Sequence, residues 1–346
     1  MTRSRRPRRL PRHALAAVVS ALALLALTVL LPGASARFTA VTGNPAGAWA
    51  TDGVAPPTGL TAVQTCTRTP ITFRGAASST SQSPLTLSPP ATTQVGDVLV
   101  AQVSYYGAST ISATGDWTLL FTDTSGGLVT SAVYHKVATG TDTATFTRPE
   151  SSPGDMVGGI LAYGGVDRSS PVAVSARVTS AGETATLPAV TTTVKDTMVV
   201  YLLAKRVAPF PTPGGLRERW KLSSDSEGVT AADESFVGPG TTPSRSTALA
   251  GSTTEYVAQT IALRPVPPVV EASLSWTASP STWATGYRLE RSSGGTVQST
   301  RSITPVETTS ATEGPLVNGT AYSFRLWAHR GTWTSSVVTA PLTPSC

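Results

Sequence analysis

Charge is sparse in this sequence. Asp, Glu, Lys and Arg make up 13% of 346 residues, about half the usual share. That scarcity excludes a coiled coil and a long Glu/Lys-rich helical protein, which need charged flanks. Cysteine is limited to Cys66 and Cys346, and beyond residue 37 histidine is limited to His135 and His329. So small a donor set offers no metal-ligand spacing. A G-x-S-x-G nucleophile turn is absent as well. Acidic residues are missing from the first 36 positions. Apolar residues are not scarce: at 40% of the chain they exclude global disorder.

The missing acids explain the charge balance. The net charge is +6, yet Arg3, Arg5, Arg6, Arg8, Arg9 and Arg12 account for it, leaving twenty basic and twenty acidic residues elsewhere. The basic excess is therefore a targeting feature and predicts no nucleic-acid surface. The apolar run Ala14 to Leu31 follows, then Pro32, Gly33 and Ala34-Ser35-Ala36 before Arg37. Basic, apolar and small-residue regions in that order predict a signal peptide over 1–36, with the mature chain secreted or held in the cell envelope. The alternative is retention of the 18-residue run as an anchor, which would be the chain's one contact with a membrane. An even cysteine pair in an exported chain predicts one disulfide, Cys66 to Cys346.

Strand patterns dominate the rest. Asp97 to Tyr106, Thr197 to Ala204 and Glu255 to Leu263 are largely apolar runs, and Thr143 to Thr147 is rich in β-formers. Gly126-Gly127, Pro153-Gly154, Gly164-Gly165, Pro213-Gly214-Gly215 and Gly238-Pro239-Gly240 separate them. Many short strands between such turns predict an all-β antiparallel sandwich or barrel. Arg217-Glu218-Arg219-Trp220-Lys221-Leu222 alternates at period two and predicts an exposed strand.

Ala272-Ser273-Leu274-Ser275-Trp276, Gly286-Tyr287-Arg288-Leu289-Glu290-Arg291 and Leu316 to Ala328 resemble strand B, strand C and the E–F corner with strand F of a fibronectin type III domain. The resemblance implies that Tyr322 is the structural corner tyrosine, bonded to backbone upstream. Strand A is missing from 269–346, but Ala55-Pro56-Pro57-Thr58-Gly59-Leu60-Thr61-Ala62-Val63 is similar to the family's opening segment. The expected organisation is an N-terminal strand and linker at 37–54, strand A at 55–66, an inserted domain at 68–265, a stiff Pro linker at 266–268 and the remaining fibronectin type III-like strands at 269–346. The alternative leaves 55–66 as a plain linker. The insertion places Cys66, after strand A, and Cys346, after strand G, at one pole of the same sandwich.

Val95 to Ala101, Trp117 to Leu120, Gly158 to Tyr163 and Ile261 to Pro265 resemble jelly-roll modules of bacterial surface and phage-tail proteins. The start of the mature chain, from Arg37-Phe38-Thr39-Ala40 through Trp49 to Leu60, resembles exported actinobacterial proteins with a camelysin-like signal region. The second likeness implies an envelope or secreted role; the first is one of pattern, not of a catalytic motif.

Catalytic chemistry finds little support. His135 falls on a strand and reads as structural, and His329 reads as a surface residue at a strand end. Asp225, Glu227, Asp233 and Glu234 are the densest acidic cluster, but their Ser and Gly neighbours predict a solvated loop. No catalytic, metal or cofactor residue is assigned. Tyr105, Tyr106, Trp117, Tyr134, Tyr163 and Trp220 are either core or the lining of a binding face. Trp220, set among charges, is the best exposed candidate. Trp49 and Trp283, beside turns, stay open between the two. The expected function is non-enzymatic adhesion to an extracellular glycan or protein. The alternatives are a matrix or appendage subunit and an accessory region related to polysaccharide-active enzymes.

Overall fold

The computed structural model describes residues 53–149, 155–207, 211–249 and 254–346. The expected signal peptide, most of the 37–54 segment and Trp49 lie outside the described residues. Every regular element among the described residues is a strand, so the fold is all-β.

After β1 (Thr58–Thr67), eight strands build a first sandwich. They are β2 (Thr72–Ser81), β3 (Leu85–Leu87), β4 (Val98–Tyr106), β5 (Ser112–Ala113), β6 (Thr118–Ser125), β7 (Val129–Val137), β8 (Ala144–Thr147) and β9 (Met156–Gly164). The large sheet runs β2-β9-β4-β7-β6 and the small one β3-β8-β5. Nine strands follow: β10 (Val172–Gly182), β11 (Thr184–Leu187), β12 (Thr191–Thr192), β13 (Thr197–Arg206), β14 (Arg217–Ser223), β15 (Glu227–Phe236), β16 (Gly240–Thr241), β17 (Arg245–Ala248) and β18 (Thr254–Leu263). Their large sheet runs β10-β18-β13-β15-β14, with the pairs β11-β17 and β12-β16 beside it.

The two units share one plan. In each large sheet the first strand borders the last, the last borders a central strand, and a hairpin completes the order. Matching irregularities mark the edges. Register shifts fall between Phe73 and Gly75 in β2 and between Val172 and Val174 in β10. Others fall between Leu119 and Phe121 in β6 and between Glu218 and Trp220 in β14. Where the sequence predicts one sandwich over 68–265, the structure holds two related ones.

Strand alternation fixes how the sheets stack. In β4, Leu99, Ala101, Val103 and Tyr105 point into the first sandwich, while Val98 and Val100 join a second core. In β13, Val199, Tyr201 and Leu203 point into the second sandwich, while Met198, Val200, Leu202 and Ala204 join that same second core. The large sheets therefore pack against each other and are covered on both faces, which is why these strands read as unbroken apolar runs. Each fully buried Val or Leu contributes about 1.5–3 kcal/mol relative to exposure.

The core between the large sheets also holds polar groups, and they bond across it. Gln102 Nε2 donates to Ser131 Oγ at 3.1 Å, and Ser131 Oγ donates to Gln259 Oε1 at 3.1 Å. Gln259 Nε2 donates to Asp123 Oδ2 at 2.9 Å. Tyr163 Oη and Arg219 Nε both donate to Asp233 Oδ2 at 2.8 Å. Such bonds tie the two sheets in one register, because an unpaired polar group there costs about 1–3 kcal/mol.

The remaining strands are β19 (Val269–Thr277), β20 (Gly286–Ser293), β21 (Thr296–Ile303), β22 (Ser310–Glu313), β23 (Tyr322–Arg330), β24 (Trp333–Thr334) and β25 (Val338–Leu342). They form a third sandwich together with β1. One sheet runs β1-β19-β22; the other runs β21-β20-β23, with β24 and β25 both paired to β23. β1 pairs with β19 from Thr58 opposite Thr277 to Thr67 opposite Val269. Trp276 and Tyr287 meet edge to face at 5.5 Å in the core, beside Leu274, Phe324 and Leu326. Cys66 and Cys346 are disulfide-bonded, with Cα atoms 5.9 Å apart.

Candidate binding site

The aromatic residues considered for a binding face separate into core and surface. Tyr105, Trp117, Tyr134 and Tyr163 are buried, and the Tyr106 ring is covered by the Arg206 guanidinium at 4.6 Å. Trp220 is 6% exposed and belongs to the core between the large sheets, which corrects its reading as an exposed binding residue. The alternation of β14 is real, but Trp220 lies on its inward side while Arg217 and Lys221 face solvent. Gly159 makes the room: a Cβ there would lie 2.5 Å from Trp220 Cε2.

Of the acidic cluster, Asp225 is exposed on a loop as expected, but the other three lie in a strand. Glu227 opens β15, and both Glu227 and Asp233 are fully buried. Glu227 accepts from Ser104 Oγ at 2.6 Å, Asp233 from Tyr163 and Arg219, and Glu234 from Tyr201 Oη at 2.7 Å. Glu227 and Asp233 share one side of β15 but lie six residues, about 20 Å, apart along the strand, and Glu234 faces the other side, so the carboxylates do not converge. Among the described residues no three His, Cys, Asp or Glu side chains gather as a metal site.

Burial pushes the Glu227 carboxyl well above the usual carboxylate range, while the Ser104 bond and Arg206 pull it down. From the unfolded value of 4.5 upward, the folded chain keeps a proton that the unfolded chain releases. Stability therefore falls as pH rises, until the folded value is passed. Glu227→Gln is expected to remove this slope, which reaches at most about 1.4 kcal/mol per pH unit. Urea unfolding of both proteins at about pH 5 and pH 8 checks it. Parallel pH dependence in the two would refute the assignment.

His135 is half-buried in β7, and burial lowers its pKa. His329 is half-buried in β23 rather than on the surface, which corrects its reading as a surface residue. Burial first and Arg288 second lower its pKa. Tyr322 Oη accepts from Val317 N–H at 3.0 Å, across the corner that Gly319 turns with φ +75°.

What the molecule does expose is a tryptophan pair at one pole of the third sandwich. β23 and β24 are joined by Gly331 and Thr332, with Arg330 opposite Trp333. Gly331 has φ +57°, a conformation glycine adopts without strain at the first position of a two-residue hairpin loop. The turn leaves Trp333 62% exposed. Its ring meets that of Trp283 edge to face at 6.1 Å. Arg330 Nη1 donates to Trp283 O at 2.9 Å, and its guanidinium lies 5.8 Å from the Trp283 ring. Trp283, Arg330, Gly331, Thr332 and Trp333 line an open cleft of about 410 Å³.

The loop carrying Trp283 is braced. Ser279 N–H donates to Tyr287 Oη at 2.8 Å and Ser279 Oγ to Ala55 O at 2.6 Å. Ala55 N–H donates to Ser281 Oγ at 3.0 Å, and Ala284 N–H to Ser281 O at 2.9 Å. A site held this way loses little conformational entropy when a ligand lands. The sequence leaves Trp283 open between core and binding face and does not single out Trp333. The available signal was Arg330-Gly331-Thr332-Trp333, a turn that presents an aromatic beside a cation.

A three-stranded A-B-E sheet against C′-C-F-G strands, with the corner tyrosine bond, gives the third sandwich a fibronectin type III-like fold. No family model and no curated protein match the chain. Among solved structures, a two-domain fibronectin type III segment of chicken tenascin is similar at 14% identity, covering 46% of this chain and 99% of its own, with a TM-score of 0.20. The three fibronectin domains FN1–FN3 of chicken CNTN1 match at 12% identity, covering 79% and 99%, with a TM-score of 0.20. Domains A168–A170 of titin match at 10% identity, covering 84% and 99%, with a TM-score of 0.18. With scores this low the fold description rests on the strand pairing alone.

Proposed function

We propose that this chain is a non-enzymatic, exported or cell-surface binding protein that contacts an extracellular glycan or protein through the Trp283–Trp333 cleft. In the proposed organisation a fibronectin type III-like sandwich, 55–66 with 269–346, carries the inserted block 68–265 between its first two strands. That block is a pair of jelly-roll-type sandwiches.

The exposed tryptophan pair carries the reading. A tryptophan 62% exposed beside a braced loop contributes little to folding, whereas a flat aromatic face is effective at binding. The Cys66–Cys346 disulfide suits an oxidising compartment, in keeping with the basic, apolar and A-x-A order of residues 1–36. The buried carboxylates are spent on contacts between sheets.

Trp333→Ala is expected to leave stability within about 0.5 kcal/mol of the parent and to abolish retention on glycan arrays and envelope fractions. Thermal unfolding and array binding of the same preparations check this. A large drop in melting temperature, or unchanged binding, would remove the cleft from the function.

A further inference from the structure

We infer, resting on the cleft as the binding site, that its ligand is an acidic saccharide, one bearing carboxylate or sulfate groups. The ground is the charge around the tryptophans. Arg330 stands over Trp283, and its neighbour His329 pairs with Thr334, next to Trp333. Two residues along β20 from Gly286, the partner of His329, Arg288 lies opposite Trp327. That offset is about 7 Å along a strand.

Arg288 and Trp327 share the outward side of this sheet with His329. Arg288 is exposed and makes no ion pair among the described residues. Two guanidiniums thus flank this pole, Arg330 in the cleft and Arg288 on the outward face of the adjoining sheet.

The segments that carry them hold no acid. Residues 278–289 and 326–337, which supply the cleft and this face, contain no Asp or Glu. Glu290, further along the same face, is occupied by Arg325 at 2.8 Å. The nearest acids in sequence without an ion pair among the described residues are Glu271, near the start of β19, and Glu307, on the loop between β21 and β22. A positive face beside a low-dielectric aromatic wall attracts anions and holds them more strongly than open solvent would.

The lining favours a saccharide over a peptide. It contains Trp, Arg, Gly and Thr and no aliphatic side chain, whereas peptide grooves take apolar anchors or an open strand edge. Indole faces accept the C–H side of a sugar ring, and Arg pairs bidentately with a carboxylate or sulfate.

The test uses the full chain on an array of neutral, uronate-, sialate- and sulfate-bearing oligosaccharides, with poly-glutamate as a control. The acidic saccharides should be retained, and carboxyl reduction of a bound uronate oligomer should weaken it about ten-fold. Arg288→Gln should weaken acidic ligands by a similar factor and Arg288→Lys should restore most of the loss. Trp333→Ala should abolish binding altogether. Neutral sugars bound as well as acidic ones, still dependent on Trp333, would overturn the acidic ligand and leave the cleft standing. Poly-glutamate bound with the same dependence on Arg288 and Trp333 would replace the saccharide with an acidic peptide. No saccharide bound and no effect of Trp333→Ala would overturn both the inference and the cleft.

Discussion

Trp220→Ala is expected to lower the unfolding free energy by about 3–5 kcal/mol. Trp220 extends from β14 into the core between the two large sheets, where it is 6% exposed and shares the cluster with Val157, Leu161 and Val229. Its indole fits over Gly159, a position where any Cβ would also crowd Ala77 O at 2.9 Å. Closing the void would need β9 to move toward β14. β9 is held on both sides, by β2 and by β4, so the site cannot collapse. Trp220 Nε1 has no hydrogen-bond partner, so the substitution orphans no polar group and the loss is one of packing alone. Denaturant unfolding should show a lower midpoint with an unchanged slope. An unchanged midpoint would place Trp220 outside the core.

The contrast with Trp333 shows what sequence could and could not reveal. Trp220 lies among charges at period two, which correctly gives a strand. Period alone does not say which side of the strand is buried. In an ordinary surface sheet the charged side faces water and the other side a single core. In β14 the inward side faces a second sandwich, and only the pairing of two sandwiches makes that visible. That duplication was legible in principle. Val95-Gly96-Asp97-Val98-Leu99-Val100 has a counterpart in Val194-Lys195-Asp196-Thr197-Met198-Val199, and Leu85-Thr86-Leu87 has one in Ala185-Thr186-Leu187. So few shared residues are hard to notice before the common strand order is known.

Glu227 and Asp233 were misjudged for a related reason. Ser223 to Gly228 has the composition of a loop, yet Glu227 begins a strand whose partners across the sheets supply the hydrogen bonds that solvent would otherwise give. The third sandwich was more legible because its positions are set by its own alternation and corner. Trp276, Tyr287 and Tyr322 occupy its core, and the Cys66–Cys346 pairing follows from where β1 and β25 end.

The bond between these cysteines underlies the second large effect: Cys66→Ser with Cys346→Ser should cost about 2–5 kcal/mol, concentrated in the third sandwich. The two residues are 280 apart in sequence, and closing so long a loop gives roughly 5 kcal/mol in the chain-entropy model, an upper figure. β1 needs such a tie because the residues between it and β19 form two other sandwiches, so pairing these strands closes a loop of about 200 residues. Other contacts gather at the same pole. Cys346 N–H donates to Asn318 Oδ1 at 2.9 Å and Ser345 N–H to Gln64 Oε1 at 2.7 Å. Arg68 donates to Cys346 O and pairs with Asp196 at 3.5 Å. These exposed bonds are individually weak, so they should slow the release of β1 without preventing it. Hydrogen exchange should therefore speed up in β1 and β25, while β4 and β13, sealed in cores other than that of the third sandwich, keep their protection. Equal acceleration in all four strands would mean that the three sandwiches unfold as one unit. No acceleration in any would mean that the A-B pairing holds without its covalent clamp.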